Sequence, residues 1–176
     1  MPSFQIRIAD EQDTHAIVRL LKQIGSVVAT TTDAEMGDEE LLQIVRDCTT
    51  FLIEEDGQIV GMNAVRIVDV SGRKDARFRK FAFIMAIGVD EAKRRQSHGT
   101  ALVNHMLGWL PQRGVDMVCL NVSAQNVAAQ SFYQRMGFGT TSVQMSRLVS
   151  EIRERLSLPS CGNFCSGWHP PVVLRP

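Results

Sequence analysis

Met85-Ala-Ile-Gly-Val-Asp-Glu-Ala-Lys-Arg-Arg-Gln-Ser-His-Gly-Thr-Ala-Leu-Val-Asn104 is the stretch from which the rest of the chain can be read. An apolar strand runs out at Val89, a short charged turn follows, and a helix begins near Gly99. Strand, polar turn and helix N-terminus together make a place where backbone N–H groups can meet an anion. Arg94-Arg95-Gln96-Ser97-His98-Gly99-Thr100 offers successive N–H groups, with two guanidinium groups beside them, and both features suit a pyrophosphate. Neither Gly-x-Gly-x-x-Gly nor a Walker A pattern is present, so the usual dinucleotide and nucleotide fingerprints are missing.

Upstream, residues 78–89 read as one long strand. Phe81, Phe83, Met85, Ile87 and Val89 fall on one face, and Ala82, Ile84, Ala86 and Gly88 on the other, which suits an interior strand covered on both sides. Phe51–Glu55 and Gln58–Val68 read as two strands joined at a tight Asp56-Gly57 turn. Phe4–Ile8 alternates as a first strand. A helix follows the polar entry Asp10–Asp13, with Ile17, Leu20, Leu21 and Ile24 at helical spacing. Asp38 is placed as the N-cap of a second helix, whose buried stripe is Leu41, Ile44, Val45 and Cys48.

Downstream, the helix from about Gly99 turns Leu102, Val103, Met106, Leu107 and Leu110 inward and is closed by Pro111 and Gly114. Met117–Val122 is a short strand. Asn126–Met136 forms a helix ended by Gly137, with Phe138 packing back over its last turn. Thr140–Leu148 reads as a strand, and residues 150–156 as a short helix. This order implies an α/β class with a mixed sheet and helices on both faces. Residues 1–157 are taken as the domain and 158–176, rich in breakers, as an irregular tail.

The 176 residues suit one domain. Nineteen basic and nineteen acidic side chains cancel, so no global field points to nucleic acid or to an anionic membrane. The N-terminus lacks a signal-peptide pattern, and no apolar run approaches the roughly 18–20 residues needed to span a bilayer. The expectation is a cytoplasmic protein. Cys161, Cys165 and His169 form Cys-x3-Cys-x3-His in the tail. A zinc site needs a fourth ligand and tighter spacing, so two thiols in a loose tail are the preferred reading and no metal is assigned.

A second stretch decides the family. Leu120-Asn-Val-Ser-Ala-Gln-Asn126-Val-Ala-Ala-Gln-Ser-Phe-Tyr133-Gln-Arg-Met-Gly137-Phe138 resembles motif B of the GNAT superfamily of N-acetyltransferases. It has an apolar strand, an Asn, a Tyr seven residues later and then Gly-Phe. Val89-Asp-x-x-x-Arg94-x-x-Ser97-x-Gly99-Thr-Ala-Leu resembles motif A of the same family. Element order extends the likeness from about residue 4 to residue 148.

The resemblance implies a GNAT-like acyl-CoA N-acyltransferase fold, with a mostly antiparallel central sheet whose fourth and fifth strands splay apart. Acetyl-CoA would lie in that gap, its pantetheine arm pairing with the backbones of Ile87 and Val89. Its pyrophosphate would rest on Arg94, Arg95, Gln96, Ser97, His98, Gly99 and Thr100. Asn126 would hydrogen-bond the cofactor arm, although a helix N-cap is its plainer role. Tyr133, the only tyrosine in the chain, would protonate the departing thiolate. Its plainer role is a core aromatic.

Two positions depart from the family pattern. Ser97 replaces the first motif A glycine, which is tolerable if φ stays negative there. His98 replaces a small or apolar residue and is expected on the rim of the turn. No Glu or His lies in residues 81–89, so the general base is unassigned. Glu54, Glu55 and Asp69 are its nearest candidates, each more simply an exposed charge. Asp33, Glu35, Asp38, Glu39 and Glu40 could attract a cationic acceptor, but neutralising a helix N-terminus is the simpler role. The expected activity is transfer of an acetyl group from acetyl-CoA to a primary amine in a ternary complex. A non-catalytic acyl-CoA sensor and a protein N-terminal or lysine acetyltransferase are the alternatives. A homodimer is suggested by family analogy.

Overall fold

The computed structural model describes residues 4–28, 36–74 and 77–145. Every element below lies in one compact unit, Met1–Phe138. The expected domain boundary at 157/158, the short helix over 150–156 and the Cys161/Cys165/His169 tail lie outside the described residues.

Five strands form one sheet in chain order: β1 (Phe4–Ile8), β2 (Thr49–Glu55), β3 (Gln58–Asp69), β4 (Lys80–Val89) and β5 (Met117–Leu120). The first four run antiparallel to their neighbours, and β5 runs parallel to β4. An antiparallel step can be made by a tight turn, and β2 joins β3 through Asp56 and Gly57, both at positive φ (52° and 72°). A parallel step needs a crossover, supplied here by α3 (His98–Trp109). Among the described residues, no helix is long and apolar enough to cross a membrane.

Strand alternation sorts the core into two layers. Phe51, Ile53, Val65, Ala82 and Ile84 pack with Leu102, Val103, Met106 and Leu110, and Tyr133 of α4 (Val127–Arg135) belongs to the same cluster. On the opposite face Leu52, Met62, Ala64 and Ala86 pack with Ile17, Leu20 and Leu21 of α1 (Thr14–Val28) and Leu41 and Val45 of α2 (Asp38–Val45). Helices therefore cover both faces of the mixed sheet.

The α1 entry is locked locally. The Asp10 carboxylate accepts from Gln12 N–H, and Asp13 accepts back from Asp10 N–H at 2.8 Å. Arg7 of β1 then donates to both Asp13 oxygens, at 2.7 and 2.8 Å. That guanidinium holds the Asp13 carboxyl below the usual carboxylate range. At α2 the N-cap is Gly37 rather than Asp38, which is the first helical residue. Glu40 reaches back to accept the Gly37 N–H at 3.0 Å, so the second of the neighbouring acids supplies the cap.

The two faces assigned to β4 do not run its whole length. Ala64 opposes Ala86 but Val65 opposes Ile84, so Met85 is an extra residue in a β-bulge. Side-chain parity reverses there. Ala82 and Ile84 point to the α3 layer, as do Ile87 and Val89 after the bulge, while Ala86 points to the α1 layer. A bulge leaves no trace in an apolar run, because every residue of the run is acceptable on either covered face. The strand expected over Thr140–Leu148 is not formed by residues 140–145, and 146–148 lie outside the described residues. Its polar and apolar residues alternate, but a strand also needs a paired neighbour, and residues 140–145 have none among the described residues.

Gly88 is where α1 comes closest to β4: a Cβ there would stand 2.5 Å from Ile24 Cγ1. Gly88→Ala is expected to cost about 1–3 kcal/mol through overpacking. Ile24→Val in the same chain should return part of it in urea melts. Asp13 gives a pH signature. Its lowered folded pKa contributes stability that is present above the unfolded value near 4 and is lost as pH falls through the folded value. Asp13→Asn should therefore flatten the pH dependence of unfolding free energy below about pH 4.

Candidate functional site

The site begins where a ladder stops. Pairs between β4 and β5 run from Phe81↔Met117 to Ile84↔Leu120 and end there, while β4 continues to Val89. The Met85 bulge turns β4 at the same point. Backbone direction beyond the bulge follows from one bond: Asp90 N–H donates to Val60 O at 2.8 Å, toward β3. Antiparallel pairs alternate, so Gly88 and Ala86 also face β3, and Ile87 and Val89 turn their N–H and C=O groups to the side that β5 has left. Among the described residues this side of β4 is unpaired beyond Ile84, and it fits an extended amide-bearing chain laid alongside it. The Val89 carbonyl already accepts from Arg94 Nε at 3.2 Å, which leaves its N–H open.

The strand leads into the turn that precedes α3. Arg94, Arg95, Gln96 and Ser97 are exposed there, and Gly99 and Thr100 are half-buried in the first turn of α3. The expectation that φ stays negative at Ser97 is overturned: Ser97 has φ 66° and ψ 4°, and Arg95 has φ 63°. Left-handed backbone at a residue with a Cβ costs about 1–2 kcal/mol. Two left-handed residues one apart curve the backbone sharply just before the start of α3. Such a concave run of amides is an anion-binding form. Backbone conformation and residue type at this turn are both compatible with a pyrophosphate.

His98 is not on the rim. It is 1% exposed, its Nδ1 lies 3.1 Å from the Lys93 carbonyl oxygen, and its ring lies 5.5 Å from that of Phe4, tilted by 58°. Its side chain points away from the anion face, so only its backbone N–H, at the start of α3, remains available there. Glu55, at the end of β2, is buried too rather than an exposed charge. Its Oε2 is 2.6 Å from Lys93 Nζ and its Oε1 is 3.8 Å from His98 Nε2. The Lys93 ammonium holds the Glu55 carboxyl below the usual carboxylate range, while burial works against it. Residue type gave no sign of this cluster, since Glu55 and His98 are far apart in sequence and meet only through the β2–α3 packing.

Gly99, Val89 and α4 converge. A Cβ at Gly99 would meet the Phe132 ring at 3.7 Å and Val89 Cγ2 at 4.0 Å. Asn126 caps α4, its Oδ1 accepting from Ala129 N–H at 3.0 Å, and its amide NH₂ has no partner among the described residues. The loop before it is fixed by Gln130, whose Nε2 donates to the Ser123 and Ala124 carbonyls, both at 2.9 Å. Gly137, at φ 86°, ends the helix, and Phe138 N–H donates to Tyr133 O at 3.0 Å. The Phe138 ring then lies 5.6 Å from that of Tyr133, with Phe132 at 5.2 Å on another side. Burial pushes the Tyr133 phenol up to about 12.

The three candidate bases are all engaged elsewhere. Glu54 accepts from Arg7 at 3.3 Å, Glu55 pairs with Lys93, and Asp69 accepts from Ser71 at 2.6 Å, near Lys80 at the far end of β3. Of the acidic cluster, Asp38 pairs with Lys22 at 2.6 Å and Glu40 caps its own helix, while Asp33 and Glu35 lie outside the described residues.

The chain is similar to known proteins. Residues 14–138 match the Acetyltransferase (GNAT) family. The ribosomal protein bS18-alanine N-acetyltransferase of Escherichia coli is 36% identical over 63 residues, covering 36% of this chain and 43% of that protein. N-acetyltransferase family 8 member 7 of Mus musculus is 31% identical over 119 residues, covering 67% of this chain and 50% of that one. The chain thus spans half or less of the length of these curated relatives. Glucosamine-6-phosphate N-acetyltransferase from Arabidopsis thaliana superposes with a TM-score of 0.60 at 26% identity, over 84% of this chain and 99% of that one. An aminoglycoside acetyltransferase from an uncultured soil sample shares the fold at a TM-score of 0.64 and 17% identity, over 83% and 96% of the two chains. With most of its length matched to one family, the chain belongs to the Acetyltransferase (GNAT) family.

Proposed function

We propose that the protein transfers an acetyl group from acetyl-CoA to a primary amine held beside the β4–β5 gap. The observation that carries this reading is the open β4 edge from Met85 to Val89 running into an anion-binding turn. Ile87 and Val89 offer strand-like hydrogen bonds to a pantetheine arm. The N–H groups from Arg94 to Thr100 offer a cradle for a pyrophosphate. Asn126 keeps its amide NH₂ for the same arm while its oxygen caps α4. Acetyl-CoA, when bound, supplies a thioester whose carbonyl carbon the amine nitrogen attacks and whose C–S bond breaks.

Tyr133 acts as proton donor. Its phenol, pushed up to about 12, is protonated at neutral pH and can donate but not accept a proton at the outset. The same burial that disfavours phenolate disfavours thiolate, so a proton passes from Tyr133 to sulfur. Tyr133 then recovers one from the attacking amine, and the amine's proton ends on the thiol. The three acids engaged elsewhere leave the amine to arrive neutral or to lose its proton to water. What the named relatives have in common is a nitrogen acceptor, and a primary amine is the acceptor this site chemistry suits.

Acetyl-CoA at about a hundred times its Kd should stabilise the protein by about 2.7 kcal/mol and raise Tm. No shift at any concentration would contradict the reading. Tyr133→Phe should lower kcat by roughly 10²–10⁴-fold across an amine panel while leaving the acetyl-CoA Kd near the wild-type value. Because Tyr133 is the only tyrosine, tyrosinate absorbance reports it alone. Its midpoint should lie near pH 12 in the folded protein and near 10 after unfolding. The stability tied to its raised pKa is present below about pH 10 and fades above it.

A further inference from the structure

The turn from Arg94 to Ser97 holds two non-glycine residues in left-handed backbone, at φ 63° and 66°. Something in the chain must over-determine that shape. The residues flanking the turn in sequence are Lys93 and His98. Lys93 sends its ammonium to one buried carboxylate, Glu55, at 2.6 Å. Lys93 and His98 also bond to each other. His98 Nδ1 is 3.1 Å from Lys93 O, and a carbonyl can only accept, so the ring proton sits on Nδ1 and is donated to Lys93. His98 Nε2 is then the acceptor nitrogen of the ring and makes no hydrogen bond to Glu55, 3.8 Å away, so the ring is held through Lys93 O and not by the carboxylate itself. Phe4 of the edge strand closes the outer side of the imidazole.

We infer that Glu55, Lys93 and His98 form a clasp that holds the Arg94–Ser97 turn in its anion-binding shape, doing for this chain what a glycine at position 97 would otherwise make unnecessary. Glu55 is a positioning residue: it touches neither thioester nor acceptor and acts through Lys93, whose ammonium it pairs and whose carbonyl holds His98. The inference rests on the acetyl-CoA reading, because the anion whose binding it supports is that molecule's pyrophosphate. The clasp links β2 to α3, so the turn is fixed against the sheet before any ligand arrives. Without it, Ser97 would relax to negative φ, and binding would have to restore the strained form. A glycine at 97 has no such preference to overcome.

Calorimetric titration of the full chain separates these effects. Glu55→Gln should weaken acetyl-CoA binding roughly tenfold while leaving the affinity for S-acetylpantetheine, which lacks the pyrophosphate, unchanged. Ser97→Gly alone should bind acetyl-CoA at least as tightly as wild type, and Glu55→Gln/Ser97→Gly should recover most of the loss. Should Glu55→Gln melt too low to titrate, Lys93→Gln, at a half-exposed position, carries the same comparison. Equal losses for both ligands, or a loss that Ser97→Gly does not repair, would overturn the clasp. So would wild-type affinity in Glu55→Gln. A wild-type protein that fails to bind acetyl-CoA would overturn the function reading, and the clasp with it.

Discussion

The parting of β4 from β5 is the constraint on which the rest of the structure depends. Four pairs hold the two strands together up to Ile84↔Leu120, and then the Met85 bulge turns β4 aside. An interior strand with unpaired backbone is costly unless something satisfies it, since buried amides and carbonyls are almost always bonded. Arg94 covers one carbonyl and α4 stands across the gap. The bulge also explains the core. By reversing parity at Met85 it sends Ala86 to the α1 layer and Ile87 and Val89 to the α3 layer, so one strand serves both.

Around that gap the chain places groups of different stiffness. Tyr133 sits in aromatic packing with Phe132 and Phe138, and Asn126 is tied into a helix cap. The turn before α3 is bracketed by Lys93, paired with Glu55, and by His98, which donates to the Lys93 carbonyl. Preorganisation of this kind lowers the ordering cost of a bound ligand and puts donors in place before the reaction starts.

Much of this was legible in the residues alone. Strand–turn–helix at 85–104 and the Asn126, Tyr133 and Gly137-Phe138 spacing pointed to the family, and alternation placed the first four strands and four helices. Where the reading failed, the information was non-local. Met85 looks like any apolar strand residue, and only pairing with Ala64 and Val65 on β3 shows that it is extra. Ser97 and His98 were judged by residue type. Their left-handed backbone and buried ring follow from packing against β2 and β1, which no neighbour in sequence announces. Glu55 looked like a surface acid beside a hairpin for the same reason.

The central claim is that the open edge of β4 receives the donor's extended arm. Amide hydrogen exchange resolved at single residues tests it most directly. Ile87 and Val89 turn their N–H groups to the gap, so in the free protein both should exchange fast for strand residues, while Gly88 and Ala86, facing β3, exchange slowly. Saturating acetyl-CoA should slow Ile87 and Val89 and leave Gly88 and Ala86 as they were. Binding that leaves the Ile87 and Val89 rates unchanged would contradict the account.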